Sequence, residues 1–424
     1  MERNITYLLL GAYFFCYTIP QSIFDFFFVY DRVSIQFLFL AVLNLISFLL
    51  IIRKHSIAKF LLVFKEKPHS FSYLLFIVFG LISIQVAENK VEGVVTISQF
   101  LIFFSSFVII IFLSKLKHIK FIKVFTVFTL VAVLLESVYI NYLFYDSIVI
   151  SGNILDRSNE FRGFTANINI SSFSLCLKIP LLFYLLFNTK VNTVKLLLLI
   201  MIFSSIMTIV LLGGRASIIA LLFILVFIFI ICVLNSNKLK IINLSLSILI
   251  VILSLYTYQY FNQNNTSSRV VERFSNVLNP TADQSVRERL DFYNTAFQSI
   301  KNKPLLGIGI GNWKLISIDY SKGLIEDYKV PYHVHNDFLQ VAAEIGLFGG
   351  IAYIYFIFFP FLISIKKFLI DKEKNLNQYA LVFLIFGVYI IDSLLNFPMV
   401  RPANFIYLLF AIALFYISYP NNLN

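Results

Sequence analysis

Charged side chains are scarce in this sequence. Asp, Glu, Lys and Arg make up 13% of its 424 residues, where a soluble domain carries about a quarter. That shortage excludes an ordinary water-soluble globular domain. Cysteine is scarcer still. Cys16, Cys176 and Cys232 each fall in an apolar stretch, so the chain offers no disulfide framework and no Cys-x-x-Cys metal motif. Period-2 alternation of apolar and polar residues is also missing, which excludes a transmembrane β-barrel. Long internal repeats and low-complexity domains are absent as well.

What is present is apolar mass: 59% of the residues are hydrophobic. They come in continuous blocks of about 20, the length of helix that crosses about 30 Å of hydrocarbon. Lipid offers the backbone no hydrogen-bond partners, so a continuously apolar block has to be a helix. The sequence therefore predicts an all-α, polytopic integral membrane protein with about 12 transmembrane helices. Spans are expected near residues 5–24, 33–52, 71–87, 94–113, 121–145, 166–187, 195–212, 216–234, 241–260, 342–365, 379–397 and 404–419. The stretch from Ile5 to Phe24 reads as a first span rather than a cleaved signal. Gly213-Gly214-Arg215 interrupts an apolar run too long for one helix, and predicts a tight turn between two spans.

The net charge of +12 does not point to nucleic acid. Its cations sit in short loops between spans. Arg3 and the loops at 53–67, 115–123, 190–195, 238–240 and 366–374 hold 18 Lys and Arg, against 6 in the alternate short loops. The richer set is expected to be cytoplasmic, which puts both termini inside. The chain then divides into residues 1–261 with nine spans, one large external loop at 262–341 containing short helices, and residues 342–424 with three spans. In the loop, Leu290, Tyr293, Phe297 and Ile300 have the spacing of one helical face.

Five groups of residues are candidates for chemistry. Arg215 lies between two spans beside small residues, where its fork suits phosphate oxygens, or simply lipid headgroups. Arg287, Glu288 and Arg289 open the loop helix, as a cationic site or as a solvated face. The glycines of Lys303–Trp313 follow no strand–helix–strand pattern, so turns are expected there and not a dinucleotide site. His333, His335, Asn336, Asp337 and Glu344 cluster within 12 residues at the mouth of a span. Histidine suits proton transfer near neutral pH. No further strong ligand set accompanies the two histidines, so no metal is expected. Asp392 lies within a span, near Asn396-Phe397-Pro398 and Arg401-Pro402, and is expected to face the bundle with a partner.

These stretches in this order resemble the O-antigen ligase and polymerase family of bacterial membrane glycosyltransferases. The similarity rests on Gly214-Arg215-Ala216-Ser217; on Arg289-Leu290-Asp291-Phe292-Tyr293 running into Pro304–Gly309; on His335-Asn336-Asp337-Phe338-Leu339 with Glu344-Ile345-Gly346; and on Asp392 through Phe397-Pro398. Arg162-Gly163-Phe164-Thr165-Ala166-Asn167-Ile168-Asn169 is a weaker match. The chain departs from the family at Tyr293, where tryptophan is common, and at Ala216, where glycine is frequent.

The resemblance implies a periplasmic reaction in the inner membrane. The donor would be a glycan on undecaprenyl pyrophosphate and the acceptor a sugar hydroxyl, the lipid A-core in a ligase. A polymerase would use another lipid-linked repeat unit, and a related branch uses protein hydroxyls. No cofactor and no nucleic acid are implied, and membrane lipids are the surroundings. Arg215, Arg289 and His335 match the family's functional arginines and histidine, with Arg287 close enough to compete for the register. Arg287, His333, Asn336, Asp337 and Glu344 are then expected to bind substrate, with Asn336 or Asp337 orienting the imidazole. A flippase for the same lipid-linked sugars is the alternative from another class.

Overall fold

The protein is described by a computed structural model covering residues 3–19, 32–55, 57, 60, 68–151, 160–165, 167–234, 284–321, 331–370 and 376–418. The span expected at 241–260 and the loop segments 262–283 and 322–330 lie outside these residues. Among the described residues the helices are α1 (Arg3–Phe14), α2 (Arg32–Lys54), α3 (Pro68–Ser83), α4 (Lys90–Ser114), α5 (Phe121–Ser151), α6 (Ile168–Asn188), α7 (Asn192–Leu212), α8 (Arg215–Leu234), α9 (Gln284–Asn302), α10 (Trp313–Ser321), α11 (Asp337–Ile370), α12 (Gln378–Leu395) and α13 (Pro402–Ser418). The described residues contain no strand.

Among the described residues nine helices, α2 to α8 with α11 and α12, are long and apolar enough to cross a membrane, α3 being so together with the 3-10 turn Ile84–Val86 that continues it. They coincide with nine expected spans. The α13 helix is apolar but has 17 residues, and α1 has 12. The turn at Gly213-Gly214 is as read from the sequence: α7 ends at Leu212, Gly213 takes a left-handed conformation (φ 63°), and α8 starts at Arg215.

The spans are apolar all round, so amphipathicity does not select which face turns inward. The interior is instead marked by polar pairs. Lys178 of α6 meets Glu136 of α5 at 2.9 Å, with both side chains almost fully buried. The Tyr17 hydroxyl also donates to Glu136. Lys178 Nζ donates to Ser174 Oγ at 2.6 Å and lies 5.5 and 5.4 Å from the ring centroids of Tyr17 and Tyr407. This network locks α5, α6 and α13 together, because removing either charge leaves the other buried and uncompensated. Asp392 of α12 does have partners, and both are amides: Asn396 Nδ2 at 2.9 Å and Asn404 Nδ2 at 2.7 Å.

The α11 segment departs from the expected span at 342–365. Its backbone breaks at Gly346 (φ 80°, ψ 175°). The chain reverses there, and residues 337–345 fold back on the following helix. The Phe338 ring lies 5.8 Å from Tyr353 and 5.7 Å from Phe358, centroid to centroid. Small residues permit the approach: a Cβ on Gly350 would sit 3.1 Å from that of Ala342. A Cβ on Gly346 itself would lie 2.0 Å from the Leu305 carbonyl oxygen, so only glycine fits.

The glycine-rich stretch 304–311 forms turns that cap this hairpin. The Ile308 and Gly309 amides donate to the Ala343 and Glu344 carbonyls, both at 2.9 Å, and the Leu347 amide donates to the Pro304 carbonyl at 2.8 Å. They satisfy carbonyls that the end of the short helix leaves open. Ala296, Ile308, Trp313, Val334 and Ala343 bury a small core of their own above the main one. The face of α9 that joins it runs through Phe292, Tyr293, Ala296, Ser299 and Ile300. Leu290 and Phe297, expected on the packed face, are more than half exposed. Tyr293 and Ile300 fit either stripe, and tertiary packing selects the one containing Ala296.

Candidate active site

A cavity of about 900 Å3 opens where α4, α9, α10, the 331–335 segment, the short helix of α11 and the α12–α13 turn converge. Regular spacing presents its walls. Glu92, Val95, Thr96 and Gln99 form one face of α4, Glu288 and Phe292 lie four apart on α9, and Gln340 and Glu344 lie four apart on α11. Asn167 also lines it; its side chain caps α6 by accepting the Asn169 and Ile170 amides. The lining mixes aromatic faces with planar amides and carboxylates, a surface suited to sugar rings and hydroxyls.

Both histidines of the sequence cluster reach this cavity. His335 has φ 60°, the one left-handed residue other than glycine among the described residues. Such a backbone costs energy unless its surroundings impose it. Here the Tyr293 hydroxyl lies 3.1 Å from the His335 carbonyl and 3.1 Å from the Leu394 carbonyl, tying the loop helix to both the histidine and the end of α12. The imidazole lies parallel to Phe292 at 6.4 Å and edge-on to Phe397 at 5.1 Å. His333 stacks on Phe397 at 4.2 Å.

Burial, with the nearby Arg289 charge, pushes the His335 pKa down to about 4. Burial, then Arg401 and His335, pushes His333 down to about 3. Both rings are therefore neutral at physiological pH and able to accept a proton. Burial raises the Tyr293 pKa, which keeps its hydroxyl a donor.

The other expected site residues divide. Glu344 lines the cavity, and its carboxylate accepts the Gly311 amide at 3.0 Å and the Trp313 amide at 3.1 Å, at the N-terminus of α10. Asn336 is the cap of the short helix: its Oδ1 accepts the Leu339 amide at 3.1 Å. Asp337 is fully buried, and its Oδ2 accepts the Met399 amide at 3.1 Å. These bonds hold the backbone on either side of the turn, and neither side chain is hydrogen-bonded to the imidazole. Arg289 is half-buried and acts on His335 and Tyr293 through its charge. Arg287 is exposed. Arg215 is half-buried at the start of α8, and is not part of the cavity wall.

Several lining residues escaped the sequence reading. Lys314 pairs with Glu92 at 2.8 Å and lies 5.8 Å from the Tyr332 ring. Phe397 and Arg401, noted in the sequence only as neighbours of Asp392, enter the wall from the α12–α13 turn. Gln340 and the α4 face carried no local signal. No group of three or more His, Cys, Asp or Glu able to hold a metal occurs among the described residues.

No curated protein matches the chain. Residues 197–354 match the family model described as O-antigen ligase. The match takes in Arg215, Arg289, both histidines and Glu344, but neither the α4 face nor Phe397 and Arg401. The multipass helical fold and the match over residues 197–354 agree with the resemblance to the O-antigen ligase family read from the sequence.

Proposed function

We propose that this protein transfers a glycan from undecaprenyl pyrophosphate to a sugar hydroxyl at the periplasmic face of the bacterial inner membrane, with the lipid A-core as acceptor. The observation that carries the reading is a neutral imidazole, His335, in the wall of a sugar-sized cavity. His335 takes the proton of the acceptor hydroxyl as the oxygen attacks the anomeric carbon. The bond from that carbon to phosphate breaks, and undecaprenyl pyrophosphate departs with the electron pair. Arg289, and Arg215 if the donor spans from α8 to the cavity, stabilise the charge that develops on the leaving group. His333, Glu344 and the amide side chains of the wall hold the sugars. The external placement of the site is supported by the Lys and Arg asymmetry of the loops.

The test is transfer by purified protein supplied with lipid-linked glycan and either lipid A-core or a second lipid-linked unit. Product on the core supports a ligase, and product on the second unit a polymerase. Translocation of the donor without any transfer makes the protein a flippase and overturns the reading. Arg215→Lys and Arg289→Lys keep the charge but lose the planar fork, and should each cost roughly 2–4 kcal/mol in the transition state. Near-normal transfer by both variants removes them from the leaving-group site.

A further inference from the structure

The histidines share the ring of Phe397 with a third group. The Arg401 guanidinium carbon lies 4.8 Å from the centroid of that ring, and Arg401 lines the same cavity. We propose that Arg401 forms an anion subsite in the cavity wall, beside His333 and His335, that grips phosphate or carboxylate oxygens of a substrate. The inference rests on the transferase reading for what the anion belongs to, and on the geometry alone for where it binds.

Two observations support it. Arg401 is the side chain whose fork suits paired anionic oxygens, and its guanidinium lies over the Phe397 ring in the cavity wall. Arg401 also acts electrostatically on the site, since its charge helps to push the His333 pKa down.

The turn that carries Arg401 is fixed from both sides. The Arg401 amide donates to the Pro398 carbonyl at 3.0 Å, and the Arg401 carbonyl accepts the Phe405 amide at 3.0 Å. Asp337, two residues after His335, accepts the Met399 amide at 3.1 Å. Asp392 holds Asn396 and Asn404, which flank the turn, at 2.9 and 2.7 Å. The buried carboxylates thus set the distance between the histidine segment and Arg401. A site for a charged group gains most from such advance ordering, because little freedom is lost when the ligand arrives. Arg401 lies outside residues 197–354, so the family match does not assign it this role.

The chain contains one tryptophan, Trp313, between the lining residues Gly311 and Lys314. Its fluorescence, together with calorimetry, can follow anion binding to the purified full-length protein without any transfer. The probes are inorganic pyrophosphate, for a donor source, and glucuronate, for an acid sugar in the acceptor. Wild type should bind at least one of them. Arg401→Gln should weaken that binding at least tenfold and Arg401→Lys at least fivefold, while Lys301→Gln, an exposed charge on α9, leaves it unchanged. Loss confined to pyrophosphate assigns the subsite to the donor, and loss confined to glucuronate to the acceptor. Arg401→Lys retains the cation in the turn, so it decides the matter if the glutamine variant fails to fold. Binding within twofold of wild type in Arg401→Lys, or binding of neither anion by wild type, overturns the proposal. Arg401-dependent binding in a protein that transfers no glycan keeps the subsite and rejects the transferase.

Discussion

The depressed pKa of His335 makes a prediction that an ordinary surface histidine does not. With a pKa of about 4, about nine-tenths of the imidazole is neutral at pH 5, whereas at the ordinary value of 6.5 only about 3% would be. Between those cases lies roughly a thirtyfold difference in the active form of a general base. Because kcat/KM reports groups on the free enzyme, it should stay flat from pH 8 to about 5 and fall only below that. The limb in kcat, which reports the complex, should lie higher, since a bound pyrophosphate stabilises the imidazolium. Burial is the larger cause of the shift and the Arg289 charge the smaller. Arg289→Gln should therefore move the kcat/KM limb upward but leave it below 6.5. The assay is transfer by purified protein at saturating and limiting donor across pH 4–9, with acid-treated samples returned to pH 7 to exclude denaturation. A wild-type kcat/KM limb between 6 and 7, or a limb that Arg289→Gln leaves in place, would refute the assignment of His335 as the buried base.

Other variants test the supporting structure. Tyr293→Phe removes the hydroxyl that links the His335 and Leu394 carbonyls. It should cost about 1–3 kcal/mol, read as slower turnover in protein that still accumulates in the membrane; unchanged kcat would dissociate Tyr293 from the histidine. Gly346→Ala puts a methyl against the Leu305 carbonyl in a left-handed conformation. It should lose folded protein by detergent size-exclusion, and normal yield would contradict the hairpin. Lys178→Met should destabilise by about 3–5 kcal/mol in thermal unfolding, with the double variant Glu136→Gln, Lys178→Met recovering much of the loss. Equal loss in the single and double variants would rule out a coupled pair.

The helices were legible in the sequence because the constraint that makes them is local. A block of about 20 apolar residues in lipid has to satisfy its own backbone, whatever packs beside it. The turn at Gly213-Gly214 and the grouping of His333, His335 and Glu344 were legible for the same reason: the residues that matter are neighbours in the chain. Helices that are apolar all round carry no periodic mark of which face turns inward. The partnership of Lys178 with Glu136, 42 residues apart, and the entry of the α4 face into the cavity were therefore decided by tertiary packing. So was the exposure of Leu290 and Phe297, which have the right spacing but lie off the stripe that includes Ala296. The reversal at Gly346 hid inside an apolar run that reads as one span, because a backbone dihedral leaves no trace in hydropathy. That reversal brings Asp337 to the Met399 amide, and so only the folded chain sets Phe397 and Arg401 against the two histidines.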